Sequence, residues 1–527
     1  MRKLSLWMAG AARFAIGIGL FLTAAPHADS SDKAPAKPNF IVVLIDDLGH
    51  SDVGAYGAKD ISTPHIDSLA RNGARFTNGY ATCPVCTPSR AALLTGRYQQ
   101  RTGLEWVISP DPILGTTKYG LDEHEKTIAD LLKEQGYATA AIGKWHLGDQ
   151  QKYFPTRRGF DYFFGYLQWG HYFLNPSKEE LADSSDPWIH YISSIMGKQA
   201  NKYLTDLANA PIYRNDKVVG FDGYLTDVLN REALEFIEKN HDRPFFLYLA
   251  HAAQHVPVQA TEKYLSRYPN LSNDKFRKNY AAALSAVDDG VGDILAKLQE
   301  LKLDKNTAII FTSDNGGPSF WEPRPEILEF IAAGTSFTAN EEGVPPDFRA
   351  ESKHFQWTIG ANGSDNTPLS FGKGILYEGG IRVPYIVYWP GVVPAGTISN
   401  DLVSHLDILP TFVAAAGGQL PADRQYDGID IRPLLEGKGL QSERALYWRV
   451  WRDRAVRDGN WKLVWSGDAK GHLYDLDNDI EEKTDLAGSN PDVVKKLQDK
   501  WTAWNKGNVD PLFTQQHKIP SPKNGKQ

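Results

Sequence analysis

Cysteine is nearly absent from this chain: 527 residues hold two, Cys83 and Cys86. A disulfide framework is therefore excluded, and one C-x2-C pair without a second cannot build a four-cysteine zinc site. Stability must come from packing. An excess of positive charge is lacking too, since 57 Lys and Arg stand against 64 Asp and Glu for a net charge of −7. That balance argues against a nucleic-acid partner held by a broad basic surface. No internal repeat or low-complexity tract is evident. The apolar run from Leu4 to Leu22 is interrupted by Arg13, which leaves too little uninterrupted length to span a bilayer comfortably.

That run follows Arg2 and Lys3 and precedes small residues from Thr23 to Ala28, the layout of a secretory signal over residues 1–28. The expected protein is exported, periplasmic or secreted, with no stable membrane insertion after signal removal. A flexible lead-in over 29–38 follows. With 42% hydrophobic and 23% charged residues, the remainder has an ordinary globular composition. Its length predicts one large domain over 39–422, a linker over 423–439, a C-terminal subdomain over 440–515 and a disordered tail over 516–527.

Two short, continuously apolar runs, Phe40 to Ile45 and Thr307 to Ser313, have the pattern of strands buried on both faces. The first ends at Asp46-Asp47 and the second at Asp314-Asn315. Adjacent carboxylates past a buried strand repel each other unless a cation neutralises them, and oxygen ligands suit calcium or magnesium. Alone, Asp46-Asp47 fits a solvated capping turn at least as well. Two parallel strands ending this way would bring four hard ligands to one sheet edge, where open α/β sheets bind ligands. A helix from Ser62-Thr63-Pro64 with Gly73 as its C-terminal cap, a helix over Glu125 to Gln135, and strands over Tyr137 to Ile142 and Phe245 to Ala250 complete an α/β alternation. The predicted fold is α/β, a large mixed, mostly parallel sheet sandwiched by helices. Strand patterns at 447–452, 454–457, 461–465 and 473–476, with a helix over 491–504, predict a small antiparallel C-terminal sheet.

Cys86-Thr87-Pro88-Ser89-Arg90, running on to Leu94-Thr95-Gly96-Arg97, places a cysteine at a helix start beside a guanidinium. Positive potential there suits a reactive group, although a buried structural cysteine or a local Cys83–Cys86 disulfide would use the same residues. Gly143-Lys144-Trp145-His146 sets a lysine and a histidine two apart, on one side of an extended strand end. Taken singly they would be a surface lysine and a core histidine.

Together these motifs resemble the formylglycine-dependent sulfatases of the alkaline-phosphatase-like superfamily, whose signature is C-x-P-S-R. The resemblance extends to His255 and to Lys373 within Gly372 to Pro384, from about Asn39 onward. It departs at Gln254, where the family has proline. It implies that Cys86 is oxidised to formylglycine by a maturation enzyme before folding. It also implies one calcium ion held by Asp46, Asp47, Asp314, Asn315 and the group made from Cys86. Lys144, Lys373 and His255 would bind sulfate, while Arg90 and His146 would activate the formylglycine hydrate and His255 would protonate the departing alcohol. Glu378 and Arg382 would be structural anchors, and so would His251.

The implied substrate is a sulfated carbohydrate, with aryl sulfates or phosphonate and phosphodiester compounds as alternatives. Segments 163–176 and 316–363 fit pocket walls, and Trp169, His171, Trp321 and Trp357 could stack on sugar rings or merely fill the core and rim.

Overall fold

The computed structural model describes residues 37–108, 118–174, 210–318, 363–440, 443–450, 452–466 and 470–513. The expected signal segment, most of the lead-in, the terminal tail, Trp321 and Trp357 lie outside these residues. Ten strands form the main sheet, in the order β10 (Thr397–Ser404), β2 (Ala74–Tyr80), β9 (Tyr385–Tyr388), β8 (Thr307–Ser313), β1 (Asn39–Ile45), β7 (Phe245–His251), β3 (Ala138–Lys144), β4 (Tyr162–Tyr166), β5 (Ile212–Arg214) and β6 (Lys217–Val219). Only β9 and β5 run against the others.

The strand period of two explains the layers. Ile41, Val43 and Ile45 of β1 enter one core with the helices Pro64–Arg71, Leu225–Lys239 and Lys275–Glu300. Phe40, Val42 and Leu44 enter the other with Cys86–Thr95, Ile128–Glu134 and Ile408–Ala415. A sheet covered on both faces needs strands buried throughout with apolar centres, which is what β1, β7 and β8 supply.

Two local expectations change. The helix predicted from Glu125 begins at Ile128, because Thr127 and Asp130 close a capping box around its first turn, and Glu125 pairs with Arg97 at 2.8 Å instead. Gly73 is not the C-terminal cap of its helix, a position filled by Asn72. It is required by close approach: a Cβ there would lie 2.3 Å from the Val387 carbonyl oxygen of β9.

A second sheet, β11 (Ala445–Val450), β12 (Asp453–Asp458), β13 (Trp461–Ser466) and β14 (His472–Asp475), is antiparallel throughout, and the helix Pro491–Asn505 packs on it. The segment 423–439, expected as a linker, packs on the main domain. It carries the short helix Arg432–Leu435, buries Ile431, Leu434 and Leu435 in the second core, and pairs Asp427 with Arg101 at 2.6 Å.

A buried charge cluster joins the two sheets. Glu378 meets Arg382 at 3.2 Å, as an anchoring pair should, and also meets Lys462 of β13 at 2.8 Å. Lys462 lies 2.8 Å from Glu482 as well. From Lys37 onward the described chain is one compact unit, and none of its helices is long and apolar enough to cross a membrane.

Candidate active site

The carboxyl ends of β1, β8, β3 and β7 all reach the same sheet edge, because these strands are parallel neighbours. Their continuations carry Asp46 and Asp47, Asp314 and Asn315, His146, and His255, while Lys144 closes β3 itself. Ser313 ties two of them together, donating its hydroxyl to the Ile45 carbonyl at 3.0 Å and accepting from the Leu48 N–H at 3.1 Å. Asp47 (φ 60°) and His146 (φ 59°) are left-handed, a region uncommon outside glycine. The chain therefore turns at His146, whose N–H is held by the Leu167 carbonyl at 3.1 Å. Lys144 and His146 thus do not share one side of an extended strand as expected, yet both reach the site, one from the strand and one from the turn.

Asp46, Asp47 and Asp314 are fully buried, and one oxygen from each lies within 4.8 Å of the others. Arg90 forks onto Asp314, with Nε at 2.8 Å and Nη2 at 2.7 Å. Lys144 Nζ donates to Asp46 at 2.5 Å, and Lys373 Nζ and Asn315 Nδ2 donate to Asp47 at 2.8 Å each. Burial, reinforced by Asp46, pushes the Asp314 carboxyl up to about 7. Crowded carboxylates of this kind are relieved by a cation.

Two buried oxygens, Asp46 Oδ1 and Asn315 Oδ1, accept no hydrogen bond from the described residues. Unsatisfied buried acceptors beside three carboxylates fit a hard cation bound through oxygen.

Cys86 is the first residue of its helix and is 1% exposed. One ligand atom each from Cys86, Asp46 and His255 also lie within 4.8 Å of one another. Burial pushes the Cys86 thiol up to about 12 despite Lys144 and Lys373, so the unmodified side chain is no thiolate nucleophile, contrary to what a helix start and an arginine suggest. Cys83 and Cys86 are both free.

His146 donates Nε2–H to the Ile108 carbonyl at 2.8 Å, which leaves a lone pair on Nδ1, a buried atom with no partner among the described residues. Burial first, then Lys144, holds its pKa well below the ordinary histidine value, so the ring is a neutral base. His255 donates Nδ1–H to the Val256 carbonyl at 2.8 Å and turns Nε2 toward Asp47 at 3.8 Å.

The structure thus brings together all ten singled-out residues: Asp46, Asp47, Cys86, Arg90, Lys144, His146, His255, Asp314, Asn315 and Lys373. His171 is not among them. Both its ring nitrogens face backbone carbonyls, of Tyr172 and Ala210, so it anchors its loop.

Supports that no motif signals also surround the site. His405 is buried between Ser89 at 3.3 Å and Thr312 at 3.2 Å, fastening the Cys86 helix to β8. Asp52 accepts from the Gly49 N–H at 2.9 Å and from Tyr280 at 2.6 Å, and pairs with Arg277 at 2.5 Å, bracing the turn after Asp47. All but the Gly49–Asp52 contact join residues 93 to 316 positions apart, which local patterns cannot show.

The sulfatase family model matches residues 38–418, and a model for the C-terminal part of N-sulphoglucosamine sulphohydrolase matches residues 369–506. This chain belongs to the sulfatase family. N-acetylgalactosamine-6-sulfatase of Canis lupus familiaris is 32% identical over 470 residues, covering 85% of this sulfatase and 74% of that protein. Arylsulfatase G of Mus musculus is 34% identical over 442 residues, covering 81% and 74%. Among solved structures, Ps i-CgsB in complex with k-i-k-neocarrahexaose superposes with a TM-score of 0.75 at 33% identity, covering 91% of this sulfatase and 95% of that chain.

Sulfate ester hydrolysis fits the charge balance of the site. Three carboxylates meet three fixed cations, Arg90, Lys144 and Lys373. With all three carboxylates ionised around a divalent ion the site is left positive, ready for a sulfate monoester anion.

Proposed function

We propose that this sulfatase is an exported enzyme that hydrolyses sulfate esters on a carbohydrate, using formylglycine made from Cys86 and one calcium ion. The observation that carries the reading is the meeting, at one buried sheet edge, of Cys86, a hard-oxygen ligand set and three cations. Relatives named for N-acetylgalactosamine-6-sulfate hydrolysis, and a neighbour solved with a carrageenan-type oligosaccharide, support the carbohydrate.

Asp46, Asp47, Asp314 and Asn315 would hold the calcium. When bound, the ion polarises oxygen, and formylglycine hydrate supplies the nucleophilic hydroxyl. The chain's own residues do the rest. Lys144 and Lys373 draw the sulfate oxygens in and disperse the charge that builds up at sulfur. His146 Nδ1 accepts a proton on the side of residue 86. Arg90 holds the Asp314 carboxyl in place through Nε and Nη2. His255 stands at the more open side with Lys373; burial, Lys144 and Lys373 hold its pKa down at about 4, and its Nδ1–H goes to the Val256 carbonyl, so Nε2 would take up a proton at that open side before passing it to the departing alcohol.

Ion chromatography of sulfate released from sulfated polysaccharides, aryl sulfate and phosphorus esters tests this, with mass spectrometry at position 86 alongside. Sulfate from a glycan is the expected result. Release from aryl sulfate alone by aldehyde-bearing protein would move the substrate to small esters, and turnover of phosphorus esters alone would overturn the sulfate reading. Cys86→Ser should fold normally and release nothing, whereas full activity in that variant would sink the formylglycine mechanism.

A further inference from the structure

The site is closed on most sides. Asp46, Cys86, Lys144 and His146 are at most 1% exposed, whereas His255 is 5% exposed and the Lys373 side chain 16%. An ester therefore enters past His255 and Lys373, and its alcohol part remains on that side when the sulfate is seated. The partly exposed Trp169 stands there, its ring 5.4 Å from the His255 ring at a tilt of 57°.

The loop holding Trp169 is fastened on both sides. Before it, the Tyr166 and Leu167 carbonyls accept the N–H groups of Trp145 and His146. After it, His171 spans the Tyr172 and Ala210 carbonyls. Gly170 lies close to the His255 segment, for a Cβ there would be in van der Waals contact, 3.5 Å from His255 Nδ1 and from the Val256 oxygen. A rigid aromatic face beside the proton-transfer residue is placed for the ring that carries the leaving oxygen.

We infer that Trp169 is the platform on which the leaving-group sugar stacks, so that it selects ring-borne sulfate esters and sets their approach to His255. This rests on the carbohydrate reading above. An indole offers a broad, flat, apolar surface that matches the C–H face of a pyranose, and its ring loses little freedom on binding. The site thus has two parts: cations and metal ligands hold the sulfate, and Trp169 holds what the sulfate is attached to.

The test compares wild-type, Trp169→Ala and Trp169→Phe proteins, all carrying the aldehyde. KM and kcat are measured on a sulfated oligosaccharide that the wild type cleaves, together with inhibition by inorganic sulfate, which has no sugar. The expected result for Trp169→Ala is a KM raised about tenfold, with Phe recovering most of it. Inhibition by inorganic sulfate should stay within about twofold, and the pH profile of kcat should not move. An unchanged KM, or a fall in kcat alone with a displaced pH profile, would make Trp169 a buttress of His255 and overturn the platform. Failure of the wild type to cleave any sulfated glycan would instead overturn the carbohydrate reading itself, and the two failures are distinguishable because only one involves the variants.

Discussion

Lys462→Met removes the cation that touches both Glu378 and Glu482, and its cost can be worked from the structure. Its Nζ lies 2.8 Å from each carboxylate, and the side chains of all three are 0% exposed. Burial pushes Glu378 up, but Lys462, Arg382 and Arg457 outweigh it and hold the group down to about 2. For Glu482 burial prevails, and Glu378 adds to it, so that carboxyl sits up at about 7. In the variant Glu378 keeps Arg382 at 3.2 Å and Arg457 at 3.8 Å. Glu482 keeps the Glu378 N–H at 2.7 Å but loses the cation beside it.

Methionine fills much of the lysine stem's volume, so the loss is mainly electrostatic, about 3–5 kcal/mol for an uncompensated buried charge. Its pH dependence follows from linkage. A carboxyl whose folded pKa exceeds its unfolded value binds its proton more tightly in the native state, so stability falls as pH rises toward and through the folded value. For Glu482 that window runs from its ordinary 4.5 to about 7, and removal of Lys462 extends it upward. The penalty is therefore largest above pH 7 and smallest near pH 5, where Glu482 is protonated in both proteins. Urea unfolding followed by tryptophan fluorescence at pH 5 and pH 8 checks this, since Trp448, Trp465 and Trp501 lie in the adjoining sheet and helix. Adding Glu482→Gln should restore at least half of the loss at pH 8. An equal loss at both pH values, or no rescue, would refute the assignment of the cost to a stranded carboxylate.

Treatment with a chelator should lower the thermal midpoint and added calcium should restore it, with about 2.7 kcal/mol of stabilisation at a hundred times the dissociation constant. Asp314→Asn should abolish that response while Asp423→Asn, 62% exposed in a surface pair, should keep it; a wild-type midpoint indifferent to calcium would count against the ion. Gly316→Ala places a Cβ 1.7 Å from the Gly379 carbonyl oxygen, so the backbone carrying Asn315 must shift. A displacement of about 1 Å in such a site costs on the order of a hundredfold in turnover, and unchanged kcat would mean the site tolerates it.

Much of the site was legible because its residues directly follow apolar runs. Phe40 to Ile45 and Thr307 to Ser313 announce buried strands without ambiguity, so Asp46, Asp47, Asp314 and Asn315 fall at predictable ends. The ten-residue set also relied on motif resemblance, since nothing in the spacing of His255 or Lys373 brings them to Cys86. Less legible were features set by tertiary contact. Thr127 moved a helix start by three residues through a capping box, and the turn at His146 depends on a hydrogen bond to Leu167. The Glu378, Lys462 and Glu482 cluster joins segments that no local pattern relates, and the apolar residues of 431–435 were hidden among the Gly, Asp and Lys of an apparent linker.

The order of strands in the main sheet carries a consequence for timing. β2 leads directly toward Cys86, yet its two neighbours in the sheet are β9 and β10, both drawn from beyond residue 384. About 300 residues must follow Cys86 out of the ribosome before β2 has anything to pair with. At roughly 5–20 residues per second that is on the order of 15–60 seconds. Once the late strands dock, residue 86 is 1% exposed and no second enzyme can reach it. On the proposed maturation, chain connectivity acts as a clock, holding the cysteine open to its modifying enzyme and then sealing the result inside.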